Sequence, residues 1–359
     1  MLFDSTQIRS LKLRNRVVMA PLTRNRAVKA NTPNALVAEY YAQRASAGLI
    51  ITEGTSPSPN GLGYARIPGL FNEEQVRGWK LVTDAVHTRG GRIVVQLMHT
   101  GRVSQLANLP AGAEVLGASD DALTGEVHTD AHGMQPYSRP RAMTEVDIRH
   151  AVGEYALAAR LAMEAGFDGV EIHAANGYLV EQFLNGNVNR RGDVYGGSIA
   201  GRNRFALEVA CAAADAIGAG RVGMRLSPYG VFNAMSSFPE LDAQYLVLAG
   251  ELSRLGLLYL HVLDHSAMGA PAVAVELKDQ LRAAFDGPFI LAGGFERGSA
   301  EEALQGGHAD LIAFGRTLLA NPDLVERMRR DALLNTPETA TFYTPGAAGY
   351  TDYPALAAA

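Results

Sequence analysis

The 359-residue chain contains one cysteine, Cys211. A single cysteine excludes an internal disulfide and any cysteine-built metal cluster. It sits in Val-Ala-Cys-Ala-Ala-Ala, a run expected in a packed helix, where a small buried apolar residue is the ordinary occupant. There is one tryptophan, Trp79. Positive charge is not in excess. With a net charge of -5, nothing favours nucleic acid or an anionic membrane surface as a partner. No apolar run approaches the roughly 20 residues of a membrane span. The start, Met1-Leu2-Phe3-Asp4-Ser5-Thr6, has no basic segment leading into an apolar one. A signal peptide is therefore not expected, and the cytoplasm is the default location. Carboxylates and histidines at metal-ligand spacing are also missing, so no metal site is expected. His128 and His132 have no such companions and read as surface residues.

What the chain does have is apolar content with a rhythm. It is 47% hydrophobic and 19% charged, which allows a large core. Short continuous apolar runs occur at 16–22, 48–54, 92–99, 169–173, 221–228, 257–262, 288–294 and 309–316. Such runs suit strands buried on both faces. Helical stretches lie between them, at 33–47, 73–89, 144–165, 198–217, 241–255, 272–285 and 299–305, and a last helix starts near Pro322. Residues 2–14 alternate weakly, as in a short hairpin. Eight strand-helix units without a composition break predict an α/β fold, a (β/α)8 TIM barrel forming one domain over 1–359. A doubly wound open sheet is the competitor. It ranks lower because no Gly-x-Gly-x-x-Gly follows the first run. The rhythm breaks at 100–143, a Gly-, Pro- and Asp-bearing excursion read as a lid or insert after strand three. The aromatic, Gly/Pro-rich tail, 336–359, is expected near the barrel mouth.

In such barrels the chemistry lies at the carboxyl ends of the strands. Strand four ends at His173, Asn176 and Tyr178. His and Asn can both donate hydrogen bonds to one acceptor oxygen, and a neutral Tyr can donate a proton. That trio suits a carbonyl whose oxygen gains negative charge during reaction. Each residue alone is adequately explained as an ordinary loop or capping residue; three together at one strand end favour chemistry. Other strand ends bring Pro21, Leu22, Thr23 and Arg24, then Gly54, then Gln96 and Met98, then Arg225. Gly293, Gly294, Gly315 and Arg316 end the last two strands, where these barrels commonly bind phosphate. For a single glycine a tight turn is as good an account. No lysine ends a strand, which argues against a Schiff base. A planar phosphorylated cofactor would satisfy all of these groups.

Seven segments then carry a resemblance in order. They are Ala20-Pro21-Leu22-Thr23-Arg24, Gln96-Leu97-Met98-His99-Thr100-Gly101-Arg102, His173-Ala174-Ala175-Asn176-Gly177-Tyr178-Leu179, Tyr195-Gly196-Gly197-Ser198, Arg225-Leu226-Ser227-Pro228, Phe314-Gly315-Arg316 and Gly349-Tyr350-Thr351-Asp352-Tyr353-Pro354. From about residue 2 to residue 354 the chain resembles the old yellow enzyme family of FMN-dependent ene-reductases. Thr at position 23, rather than Cys, resembles the branch of the yeast and enterobacterial enzymes.

The resemblance implies tightly, non-covalently bound FMN at the barrel mouth, reduced by NADPH or NADH. Hydride then passes from flavin N5 to the β-carbon of an activated alkene, with nitro compounds and nitrate esters as further acceptors. It implies that Pro21, Leu22, Thr23 and Gly54 line the flavin ring and that Gln96 bonds its pyrimidine edge. Arg225 would favour the anionic reduced ring, and Thr23 would tune its potential by donating to O4. Gly293, Gly294, Gly315 and Arg316 would hold the phosphate. His173 and Asn176 would bond the substrate oxygen, Tyr178 would protonate the α-carbon, and Tyr64 and Tyr350 would wall the substrate pocket. Met98 stands where many relatives carry Trp, which predicts a roomier pocket. Asn185-Gly186 replaces a usual Ser-Pro. A monomer or homodimer is expected. Two other readings compete: a phosphate-substrate barrel lyase or isomerase without a redox cofactor, and a flavin-binding protein that has lost turnover.

Overall fold

The computed structural model describes residues 1–357. Eight parallel strands close into a barrel: β1 (Val17–Met19), β2 (Leu49–Thr55), β3 (Ile93–Leu97), β4 (Gly169–Ala174), β5 (Val222–Leu226), β6 (Tyr259–Leu263), β7 (Phe289–Ala292) and β8 (Leu311–Phe314). They neighbour one another in chain order, and β8 pairs with β1 to close the ring. Every residue of these strands is buried, as the continuous apolar runs require of strands covered on both faces.

The two faces are distinct. Val17, Met19 and Ile50 pack outward against helices, with Trp79, Tyr41 and Phe205 in the same apolar layer. Val18, Leu49, Ile51, Val94, Ile290 and Leu311 fill the interior. The antiparallel hairpin Thr6–Ile8/Leu11–Leu13 adds Ile8, Leu11 and Leu13 to that interior cluster. It meets Leu49 and Leu311, the first residues of their strands, so it plugs the amino-terminal end of the barrel. That end is closed by packing, and the carboxyl end is left for chemistry.

The outer helices are α1 (Ala35–Gln43), α2 (Glu73–Thr88), α3 (Glu145–Glu164), α4 (Leu179–Leu184), α5 (Ile199–Ile217), α6 (Leu241–Arg254), α7 (Val275–Ala284), α8 (Arg297–Gln305), α9 (Arg316–Ala320) and α10 (Leu324–Arg330). Their starts are written in the sequence. Asn34, Asn72 and Ser198 cap α1, α2 and α5 with side-chain oxygens, and Thr144 with Asp147 forms a reciprocal capping box on α3. Cys211 is half-buried on α5.

Two features depart from the sequence reading. The excursion after β3 is not structureless: it holds a hairpin, Glu126–Thr129 with Gly133–Pro136, and a short parallel pair, Leu116–Gly117 with Arg141–Ala142. Pairs this short leave little periodicity to read. Its Val103 and Leu123 pack with Met98 and Tyr178, which brings it over the carboxyl ends of the strands. The other is α9, which starts directly at Arg316, before the helix expected near Pro322. Five residues are too few to show helical spacing. His128 and His132 are exposed. No described helix is long and apolar enough to cross a membrane.

Candidate active site

A cavity of about 520 Å³ opens at the carboxyl ends of the strands. Pro21, Leu22, Thr23, Gly54, Tyr64, Gln96, Met98, His173, Asn176, Tyr178, Arg225, Gly293, Gly294, Gly315 and Arg316 all line it. Barrel register accounts for the gathering. His173 on β4 lies beside Arg225 on β5, and Arg225 lies beside His261 on β6. Glu171 on β4 lies beside Gln96 on β3.

Beneath the cavity these residues form a buried polar layer. Gln96 Nε2 donates to Glu171 Oε1 at 2.7 Å, and His261 Nδ1 donates to Glu171 Oε2 at 2.9 Å. Burial opposes charge on Glu171, but His261, Arg225 and Gln96 together hold its carboxyl below the usual range. Burial lowers the His261 pKa although Glu171 opposes the shift, and Arg225 on the next strand adds its charge to the layer without bonding the carboxylate. The carboxylate fixes the Gln96 amide from below.

Above that layer, polar atoms lack protein partners. His173 Nδ1, Asn176 Oδ1, Arg225 Nε and His265 Nδ1 are buried and unbonded among the described residues. A buried group without a partner is costly. Four such atoms around one cavity point to a bound molecule that supplies the partners. Burial first, then the Arg225 charge, pushes the His173 imidazole well below its ordinary value, so it is neutral. The edge of the Tyr178 ring meets His173 at a centroid distance of 5.0 Å. Burial raises the Tyr178 phenol to about 12, so it keeps its proton. Its oxygen lies 3.1 Å from that of Tyr64.

The glycines have steric reasons. The β2 ladder shifts register between Ile51 and Gly54, and a Cβ on Gly54 would collide with the Met98 side chain. Gly293 has φ +134, and a Cβ there would strike the Asp264 carbonyl. Gly294, at φ +70, continues this cradle.

Tyr350 is a correction. It does not line the cavity. It is fully buried and stacks on Tyr40 at 4.0 Å, with the Arg24 and Arg26 guanidinium groups 5.0 and 4.7 Å from its ring. Arg24 Nη2 also binds the Gly349 carbonyl at 2.7 Å, which anchors this part of the tail behind the site. The tail aromatics that reach the cavity are Phe342 and Tyr343. Arg24 itself is fully buried and serves the tail.

Sequence reasoning also missed Phe232, Asn233, Asp264 and His265 among the lining residues. The strand-end rule, extended two residues past β6, would have found Asp264 and His265. Phe232 and Asn233 lie in the loop after β5, with no periodic signal. No described group of three or more His, Cys, Asp or Glu residues has metal-site geometry.

The residues present suit FMN. Gly293, Gly294, Gly315 and Arg316 offer a cradle of small residues with a cation, Gln96 offers a fixed amide, and buried Arg225 lacks an anionic partner in the cavity. Fold and site define a barrel oxidoreductase that works with a flavin nucleotide. The chain belongs to the NADH:flavin oxidoreductase / NADH oxidase family, whose model matches residues 1–335. It is therefore an old yellow enzyme family member and a NAD(P)H-dependent flavin oxidoreductase, with FMN as cofactor and a nicotinamide as reductant.

It is 43% identical over 353 residues to 12-oxophytodienoate reductase 1 of Oryza sativa subsp. japonica, covering 96% of this chain and 90% of that one. Among solved structures, morphinone reductase matches with a TM-score of 0.95 at 45% identity, covering 99% of this chain and 96% of that one. Morphinone reductase has also been solved with tetrahydroNAD bound. The old yellow enzyme homologue of Zymomonas mobilis matches with a TM-score of 0.93 at 39% identity, covering 99% of both chains.

Proposed function

We propose that the protein is an ene-reductase acting on α,β-unsaturated carbonyl or nitro compounds. The observation that carries this reading is the cavity wall, where the unbonded His173 Nδ1 and the Asn176 amide stand with the protonated Tyr178 hydroxyl. When bound, FMN would supply hydride chemistry, passing reducing equivalents from the nicotinamide to the substrate β-carbon. His173 and Asn176 donate hydrogen bonds to the substrate oxygen and stabilise the negative charge that grows there. His173 does this as a neutral imidazole, because burial beside Arg225 disfavours its charged form. Tyr178 then gives its proton to the α-carbon. Gln96, Thr23 and Arg225 would hold the ring's polar edge, and Gly293, Gly294, Gly315 and Arg316 would hold the phosphate. Tyr64 and Met98 shape the substrate space, together with Phe342 and Tyr343.

The family relationship displaces the phosphate-substrate lyase or isomerase reading. No separate dinucleotide domain interrupts the barrel units, so the nicotinamide uses the substrate's own space and leaves before the alkene binds. Anaerobic NADPH or NADH should bleach the yellow protein, and 2-cyclohexenone should restore the colour. Parallel double-reciprocal lines should follow. A protein that keeps FMN but does neither step is the binding protein without turnover.

A further inference from the structure

The proposed oxygen-binding residue Asn176 sits in strained backbone. Its φ is +60, and Gly177 follows at +77. Asn tolerates this region better than most residues, but something must still hold the turn there. Two segments contribute, the loop after β5 and helix α4. The Asn176 N–H donates to Ser227 Oγ at 3.0 Å, and its carbonyl accepts from Asn233 Nδ2 at 2.7 Å. The Gly177 N–H donates to Glu181 Oε2 at 2.6 Å.

Glu181 joins two of these arms. Its Oε1 accepts from the Ser227 hydroxyl at 3.0 Å, so Ser227 passes the Asn176 N–H on to the carboxylate. The Tyr245 hydroxyl on α6 donates to the same oxygen at 3.1 Å. Glu181, Ser227 and Tyr245 are 3%, 1% and 3% exposed. Among the described residues, all three groups that meet the carboxylate are donors, and no cation bonds it. A carboxylate this deep without a cation is expensive to bury, and the helix position it occupies on α4 could be filled by an apolar residue. Its cost is intelligible if the anion organises the turn that carries Asn176.

We infer that Glu181 is a positioning residue, acting through Ser227 and the Gly177 N–H to hold the Asn176 amide where it meets the substrate oxygen. This rests on the reading of Asn176 as a donor to that oxygen. It requires no contact between Glu181 and substrate or cofactor.

The test is a mutant cycle on the FMN-loaded protein. Glu181→Gln is nearly isosteric but replaces one acceptor oxygen with a donor, so one of the three donors must turn away. Phenol is the probe, and its dissociation constant is read from the flavin absorbance. Glu181→Gln should raise that constant about tenfold and lower kcat/KM for 2-cyclohexenone to match. In an Asn176→Ala background it should change neither. A Glu181→Gln effect of equal size in both backgrounds overturns the inference, because the carboxylate then serves the fold or another group. So does an ineffective Glu181→Gln beside an effective Asn176→Ala. If Asn176→Ala itself leaves phenol binding unchanged, the reading of Asn176 has failed first and the inference falls with it. Should Glu181→Gln not fold, Ser227→Ala cuts the bridge alone and runs the same cycle.

Discussion

The hydroxyl oxygens of Tyr64 and Tyr178 lie 3.1 Å apart, on side chains that both line the cavity. Burial, followed by the presence of Tyr178, raises the Tyr64 phenol well above its ordinary value, and Tyr178 stands at about 12. Neither ionises near neutral pH, so one hydroxyl orients the other as a proton donor. Tyr178→Phe should leave reduction of the flavin by NAD(P)H intact and slow reoxidation by 2-cyclohexenone at least roughly 10²-fold. Tyr64→Phe removes only the orienting partner and should cost far less. Stopped-flow reoxidation separates the two half-reactions. Because Tyr178 keeps its proton, the wild-type rate should show no loss from phenol ionisation as pH rises toward about 10.

His173 and Asn176 are proposed to act as a pair on one oxygen. Replacing both with Ala should weaken phenol binding and slow enone reduction by at least roughly 10²-fold. The His173 pKa lies well below its ordinary value, so the imidazole is already neutral at pH 6.5 and above. Enone binding should therefore not weaken as pH rises through 6.5, where an ordinary histidine would lose a charge. Titrations of the holoprotein on both sides of that pH check this, and unchanged kinetics in the double variant would refute the pair.

The sequence was most legible where a repeat constrained it. Eight apolar runs favoured a closed parallel sheet over an open doubly wound one, and the strand-end rule then located Thr23, Gln96, His173, Arg225 and Gly315 on one cavity. Reading failed where no repeat spoke. Tyr350 belongs to a tail whose path is set by Arg24 and Arg26 reaching its carbonyls, contacts about 320 residues apart in sequence. Asn233 reaches the site from an irregular loop at φ +54. The Glu181 carboxylate falls on a helix start and looks, in sequence, like a first-turn acid serving the helix dipole.

The tail gives a prediction of its own. Arg26 donates to the carbonyls of Phe342, Thr341 and Ala348 at 2.7, 2.8 and 3.0 Å. Lysine keeps the charge but loses the planar fork. Arg26→Lys should loosen the segment that brings Phe342 and Tyr343 to the cavity. Limited proteolysis should cut within 336–350 sooner, and KM for 2-cyclohexenone should rise several-fold while FMN stays bound. Equal cleavage rates would count against this role.

Met98 is 1% exposed and packs with Leu62, Ile67, Val103, Leu123 and Tyr178. It also borders the cavity next to Gly54. Met98→Trp adds bulk to a closed cluster and should push ring atoms into the substrate space. Rates with bulky β-substituted enones should fall more than the rate with 2-cyclohexenone. A uniform change across such a panel would show that position 98 does not select by size.

The last prediction concerns acid stability. His99 is 1% exposed, and burial lowers its pKa to about 3. Its Nδ1 accepts the Gly101 N–H at 3.0 Å, so the neutral ring is the useful form. The unfolded chain takes up the proton near pH 6.5, the folded chain only near 3. Stability from this group is thus complete above about pH 6.5 and is lost as pH falls toward 3, at about 1.4 kcal/mol per unit. Glu53 and Glu181 act oppositely. Burial raises each to about 7, so their cost appears between about 4.5 and 7 as pH rises. That cost is common to wild type and a His99 variant, so a comparison cancels it. His99→Asn can keep an acceptor near Nδ1 and removes the titration. It should lower Tm somewhat at pH 7 but flatten the fall in Tm between pH 6.5 and 4. Parallel curves for the two proteins would mean that His99 does not carry the acid limb.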